Sequence, residues 1–145
     1  MSAPFVRERL IRFSDCDPAG IVFFPQYFVM FNGLVEDWVN EQLGLDYSAL
    51  ITTRRIGLPT VRLEVDFKAV SRLGDRVRLA LGVNRLGGAS LTLDLCCLGA
   101  SNDDVRMQMR QVIVSTSLES HRAVQIPTDL RAAIEQWSHP QATSA

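Results

Sequence analysis

Asp15 and Asp17 flank a cysteine at the head of the run Asp15-Cys16-Asp17-Pro18-Ala19-Gly20-Ile21-Val22-Phe23-Phe24-Pro25. Pro18 and Gly20 mark a turn, because proline fixes φ and glycine tolerates positive φ. Pro25 suits the first turn of a helix, where its missing N–H would have had no partner. The run therefore predicts an acid-bearing loop that leads straight into a helix N-terminus. Free N–H groups and the positive end of the helix dipole favour negative or developing negative charge at such a place. A carboxylate just ahead of it sets a base or nucleophile beside an electrophile binder in one small volume. Asp17 is the candidate for that role. Its competing readings are a plain turn or helix cap and a structural bridge to an arginine. Asp15 is expected to be structural, capping the turn or pairing with Arg12. Asp-x-Asp spacing alone does not make a divalent-metal site, because no third hard ligand is recognisable, and no metal is expected.

The loop must be positioned by the helix that follows, predicted over about Phe24 to Leu43. Phe24, Phe28, Phe31, Val35 and Trp38 recur at steps of three and four, one face of a helix. Tyr27, Leu34 and Val39 widen that face until the helix looks apolar most of the way round, as a buried helix does. Gly33 is costly in mid-helix, and close approach to a neighbouring strand would offset that cost. Gly44 is a natural stop. Glu36 and Asp37 read as a solvated edge.

Strands surround this helix in the pattern. Residues 5–13 read as a first strand. Asp46 caps a short helical turn to about Ile51. From there the period becomes two. In Val61-Arg62-Leu63-Glu64-Val65-Asp66-Phe67-Lys68-Ala69 every odd position is apolar and every even one charged, a half-buried strand. Leu73-Gly74-Asp75 turns the chain into the alternating Val77, Leu79, Leu81 and Val83. Gly87-Gly88 signals a hairpin. Leu91, Leu93, Leu95 and Cys97 face inward on the next strand. A last strand runs from about Val105 to Leu118, and its alternation slips near Gln111-Val112-Ile113-Val114. That slip predicts a bulge or a segment buried on both faces. Pro127 to Trp137 reads as a closing helix, and residues 138–145 as a frayed tail. Short turns force antiparallel neighbours. One domain over residues 1–145 is expected, of α+β class, with an antiparallel sheet of about five strands curled around one long helix.

Composition narrows the function. With 145 residues and 47% hydrophobic content, the chain suits a single globular core. A net charge of −1 without a run of like charges argues against a nucleic-acid surface. No stretch of ~20 apolar residues offers a membrane span. Arg7, Glu8 and Arg9 interrupt any signal-peptide core. Three cysteines, with Cys96 and Cys97 on opposite faces of a strand, point to a reducing cytoplasm.

The element order resembles the hotdog fold. The run from Asp15 to Pro25 with Gln26 and Tyr27 resembles the signature of the 4-hydroxybenzoyl-CoA thioesterase family, in the branch that keeps its acid in the loop. It is similar, less closely around Pro18, to the acyl-CoA thioesterases of bacterial Tol-Pal gene clusters. The resemblance is tightest over residues 12–31 and weaker from Leu63 to Asp75. It implies an acyl-CoA thioesterase without a cofactor, with an acyl-CoA as its small-molecule substrate. It implies Asp17 as the catalytic acid group and the Phe24 backbone N–H as the group that polarises the thioester carbonyl. It further implies active sites between subunits of a dimer or dimer of dimers. Two positions depart from the pattern. The hairpin that often carries a basic cluster for coenzyme A holds only Arg85. The helix position whose carboxylate receives a substrate phenol is Asn32, an uncharged amide.

Other candidates follow from type and place. Phe23, Phe28 and Phe31, with Tyr27, are candidates for an acyl pocket, although such a stripe also builds a core. Thr60 after Pro59 is a candidate hydroxyl donor. Glu36 is the rival acid, since other hotdog thioesterases carry theirs on the helix. His121 and His139 lie too late in the chain to serve the loop. That also weighs against a hotdog hydratase, which wants a histidine. The remaining alternatives are a fatty acyl-CoA thioesterase and a non-catalytic acyl-binding protein. Exposed Phe23 and Phe24 beside one helix and one sheet would form an apolar patch, which predicts at least a dimer.

Overall fold

The computed structural model describes residues 3–138. The elements are β1 (Phe5–Leu10), a 3-10 turn (Phe13–Asp15), α1 (Pro25–Asp37), a π-helical turn continuing it (Trp38–Gln42) and α2 (Tyr47–Thr52). There follow β2 (Ile56–Gly57), β3 (Thr60–Phe67), β4 (Arg76–Leu86), β5 (Ser90–Gly99), β6 (Val105–Val114), β7 (Thr116–Ser117) and α3 (Thr128–Ser138). Five strands make one sheet in the order β1-β4-β5-β6-β3, every pairing antiparallel. β2 and β7 pair separately. The sheet around α1 is the α+β hotdog arrangement.

The period-two residues build the sheet half of the core. Val77, Leu79 and Leu81 of β4, Leu91, Leu93, Leu95 and Cys97 of β5, and Met107, Met109 and Ile113 of β6 are all buried. α1 contributes Tyr27, Met30, Phe31, Leu34 and Val35, and Trp38 and Val39 extend the row. Leu130 and Ile134 of α3 close it, with Trp137 packed edge-on against Trp38. Asp46 caps α2 by accepting from the Ala49 N–H, and Gly44 ends the long helix at φ +70°.

Five expectations need correction. The first strand stops at Leu10, not Phe13, because the chain turns there to bury Asp15. The helix is not buried all round: Phe24, Val29, Asn32, Gly33 and Glu36 are exposed along one flank. A Cβ at Gly33 would meet nothing within 4 Å, so close approach is not why glycine stands there. The odd row of β3 is not buried either, with Val61, Leu63 and Phe67 at 61%, 40% and 52% exposure. Among the described residues β3 is an edge strand, paired on one side only, and α1 leaves most of its inward row uncovered. Finally, β6 holds its alternation to Val114. The apparent slip arises because polar Gln111 occupies an inward position, and the extra residue is on the partner strand, at Val61 of β3, opposite the step from Val112 to Ile113. Ser138 belongs to α3, and the rest of the expected tail, residues 139–145 with His139, lies outside the described residues.

Candidate active site

The acid loop doubles back on itself. Cys16 bridges to Val22, the Asp17 N–H donates to the Ile21 carbonyl at 3.0 Å, and the Phe23 N–H donates to the Asp15 carbonyl at 2.9 Å. Gly20 takes φ +76° at the tip, a backbone state that disfavours any side chain. The loop is therefore closed on itself just ahead of α1. The connection from β3 to β4 clamps it from outside: Val22 N–H donates to the Ser71 carbonyl and Leu73 N–H to the Gly20 carbonyl, each at 2.9 Å.

The two aspartates do different work in this loop. Asp15 is only 3% exposed, accepting from the Arg9 guanidinium at 2.9 Å and from the Arg12 N–H at 2.8 Å. It caps the 3-10 turn, and its ion-pair partner is Arg9, not the side chain of Arg12. Asp17 is half-buried, and one oxygen accepts from the Ala19 N–H at 2.8 Å. Its other oxygen has no hydrogen-bond partner, and no arginine pairs with it, among the described residues. At Cys16 between them, burial first, and then the Asp15 and Asp17 carboxylates, push the thiol pKa up, which disfavours the nucleophilic thiolate.

Phe24 stands at the helix start with helical dihedrals, and Pro25 follows as the first helical residue. Gln26 and Tyr27 donate to the carbonyls of Phe23 and Phe24. The Phe24 N–H has no acceptor among the described residues. An unpartnered N–H at a helix N-terminus, in the same loop as a half-free carboxylate, can hold a carbonyl oxygen while the carboxylate acts on its carbon.

A cleft of about 310 Å³ opens beside Phe24, lined by Tyr27, Phe67, Lys68 and residues 69–71. Phe67 packs edge-on against Phe24 with ring centroids 6.0 Å apart, a contact that β-strand alternation does not reveal. Tyr27 forms the cleft floor and donates to the Ser71 hydroxyl at 2.9 Å, and burial raises its pKa. Phe23 is exposed and Phe28 half-buried. Phe31, at 1% exposure, is core and presents no surface to a ligand.

The remaining candidates sit elsewhere. A second cavity, of about 360 Å³, lies between the middle of α1 and the start of β3, with Asn32, Glu36, Tyr47, Thr60 and Gln111 on its walls. Phe24 and Glu36 are twelve residues apart on one helix, about 18 Å at 1.5 Å per residue. α1 therefore runs opposite to β3: its start meets Phe67, and its later turns face Thr60. Arg85, exposed, lies at the Thr60 end, since the pairings Leu86–Leu91, Leu91–Ile113 and Ile113–Thr60 connect them. α3 brings Arg131 to the same hairpin, donating to the carbonyls of Gly87 and Gly88. Arg131 lies too far along the chain for local pattern to reveal it. Within one chain Asp17 and Phe24 thus share one end of the fold, while Asn32, Thr60 and Arg85 share the other.

Among the described residues no group of three or more His, Cys, Asp or Glu side chains is placed to hold a metal, and no helix is long and apolar enough to cross a membrane. A 1,4-dihydroxy-2-naphthoyl-CoA hydrolase from Synechocystis is 25% identical to this chain over 136 residues, covering 94% of the chain and 98% of that protein. The crystal structure of a 1,4-dihydroxy-2-naphthoyl-CoA thioesterase from Synechocystis superimposes with a TM-score of 0.85 at 25% identity, over 94% of this chain and 99% of that one. A gentisyl-coenzyme A thioesterase structure gives 0.80 at 27% identity, over 90% and 99%. Residues 11–134, from the end of β1 into α3, match the Thioesterase-like superfamily, and the chain belongs to that family.

Proposed function

We propose that this chain hydrolyses the thioester of an aromatic acyl-CoA, with Asp17 as nucleophile or general base and the Phe24 N–H as the carbonyl-polarising donor. The observation that carries the reading is the half-free carboxylate held in the same doubled-back loop as an unpartnered helix-start N–H. Relatives named for naphthoyl-CoA and gentisyl-CoA supply the aromatic class. As the carbonyl carbon becomes tetrahedral, its oxygen gains negative charge, and a donor fixed in place beforehand stabilises that charge without reorganising. One such donor is worth roughly a hundred- to a thousandfold in rate. Asp17 either attacks the carbon, giving an anhydride that water then opens, or takes a proton from the attacking water. The chemistry calls for no metal or cofactor.

The unit of function in this reading is at least a dimer, with a dimer of dimers as the larger form. The β3 edge carries an uncovered apolar row, whereas the opposite edge, β1, is blunted by Arg7, Glu8 and Arg9. Antiparallel pairing of two β3 edges about the strand centre sets Thr60 of one copy across from Phe67 of the other. Phe67 touches Phe24. The pairing thus joins the Asp17 end of one copy to the Asn32, Thr60 and Arg85 end of its partner. The three free cysteines suit a reducing compartment such as the cytoplasm.

Thiol release from a panel of aromatic and straight-chain acyl-CoA esters tests the assignment. Turnover of an aromatic ester at a kcat/KM at least tenfold above any straight-chain ester is the expected result. The reverse order would make it a fatty acyl-CoA thioesterase. Tight binding with no thiol release from any ester would make it an acyl-binding protein.

A further inference from the structure

Gln111 is 5% exposed and stands in the inward row of β6, between Met109 and Ile113. Every other inward position of that strand is apolar. Its amide nitrogen donates to the Thr60 hydroxyl oxygen at 2.7 Å, and its amide oxygen has no partner among the described residues. A buried carbonyl oxygen without a donor is costly, by about the value of the hydrogen bond it lacks or more. Gln111 also lines the 360 Å³ cavity beside Thr60, a volume within the usual span of small-molecule sites, roughly 300–1,000 Å³. Gln111 thus carries an orphan acceptor and borders a cavity of ligand size.

We infer that Gln111 is a specificity-determining residue, whose free amide oxygen accepts a hydrogen bond from a ring hydroxyl of the acyl group seated in this cavity. The inference rests on the aromatic acyl-CoA reading above and names the feature of the acyl group that the site selects. The walls argue for the hydroxyl. Val35, Leu58, Pro59 and Ile113 offer apolar surface to a ring. Glu36 on the rim disfavours an anionic substituent by like-charge repulsion. Thr60 accepts from Gln111 and so keeps its own O–H to donate. A hydroxyl both donates and accepts, so it satisfies the Gln111 oxygen and the Thr60 proton together. A bare ring satisfies neither.

The test compares benzoyl-CoA with its monohydroxylated derivatives on the wild type, Gln111→Leu and Gln111→Met. Both kcat/KM by thiol release and Kd by calorimetry are measured, with thermal melts to verify the fold. Methionine keeps the length of the side chain, so it serves where leucine does not fold. The wild type is expected to favour at least one hydroxylated ester by roughly tenfold or more. The variants should lose that preference and keep benzoyl-CoA within about threefold. Equal losses on all esters would reduce Gln111 to a structural residue, and an unchanged preference would remove it from recognition; either result overturns the inference. If no ester is hydrolysed, the thioesterase reading falls, and the Kd values alone decide on Gln111 by the same criteria.

Discussion

Asp15 and Asp17 are the same residue type, two positions apart, in opposite circumstances. Asp15 spends both oxygens on Arg9 and the Arg12 N–H and is sealed from solvent. Asp17 spends one oxygen on the Ala19 N–H and keeps the other free. Asp17→Asn tests what the free oxygen does. Asparagine keeps the turn-capping oxygen and caps about as well as aspartate, so a purely structural Asp17 would lose little. A nucleophile or base would cost kcat roughly a hundredfold or more, with the thermal midpoint and assembly unchanged. Steady-state kinetics beside a thermal melt decides, and near-normal turnover would remove Asp17 from the chemistry. The turn that carries the two aspartates was legible in the loop, because Pro18, Gly20 and Pro25 dictate a turn into a helix start. Gln111 was not: in the chain it merely interrupts an alternation, and only the strand register shows that it points inward.

Among the elements, those that follow from periodicity alone formed as expected: α1, β4, β5 and the antiparallel order of the sheet. Periodicity states which side of a strand is apolar. It does not state whether anything covers that side, and so β3 read as half-buried although it is an open edge. The segment between β3 and β4 was likewise read only as a turn, yet it holds the acid loop in place. Its anchor is Asp75, which accepts from the Arg72 N–H at 2.8 Å and from the Arg106 guanidinium at 2.9 Å. These contacts, the Arg72 N–H foremost, pull the Asp75 pKa below its ordinary value. The sign follows from linkage. A carboxyl whose pKa is depressed by folding contributes stability above its unfolded value, near 3.9, and loses it as pH falls through the folded one. Asp75→Asn should therefore melt earlier than wild type at pH 7, and the gap should close below about pH 4. A gap that stays constant down to pH 3 would contradict this account. Turnover should suffer in the same variant at neutral pH, since Ile11 and Gly20, on either side of the two aspartates, pair with this turn.

At the scale of the whole molecule, the separation of the site residues along α1 makes the strongest demand. Asp17 and Phe24 lie at one end of the fold, and the cavity lined by Asn32 and Glu36 lies at the other, about 12 to 18 Å along the helix. Pairing across β3 resolves this if each site draws its loop from one copy and its cavity from the partner. Mixing two disabled variants tests that arrangement. Asp17→Asn disables the loop. Asn32→Trp, at an exposed helix position, fills the cavity and leaves the loop intact. Each homodimer should be nearly inactive. In a mixed dimer, one site joins both lesions, and the other joins an intact loop to an intact cavity. Unfolding and refolding the two variants together in equal amounts gives mixed dimers as about half of the population by random pairing. One good site in two, in half of the dimers, should then restore about a quarter of wild-type activity. The converse outcome is equally sharp. If every chain builds its own complete site, each site in the mixture carries one lesion or the other, and activity stays at the level of the separate variants whatever the mixing ratio.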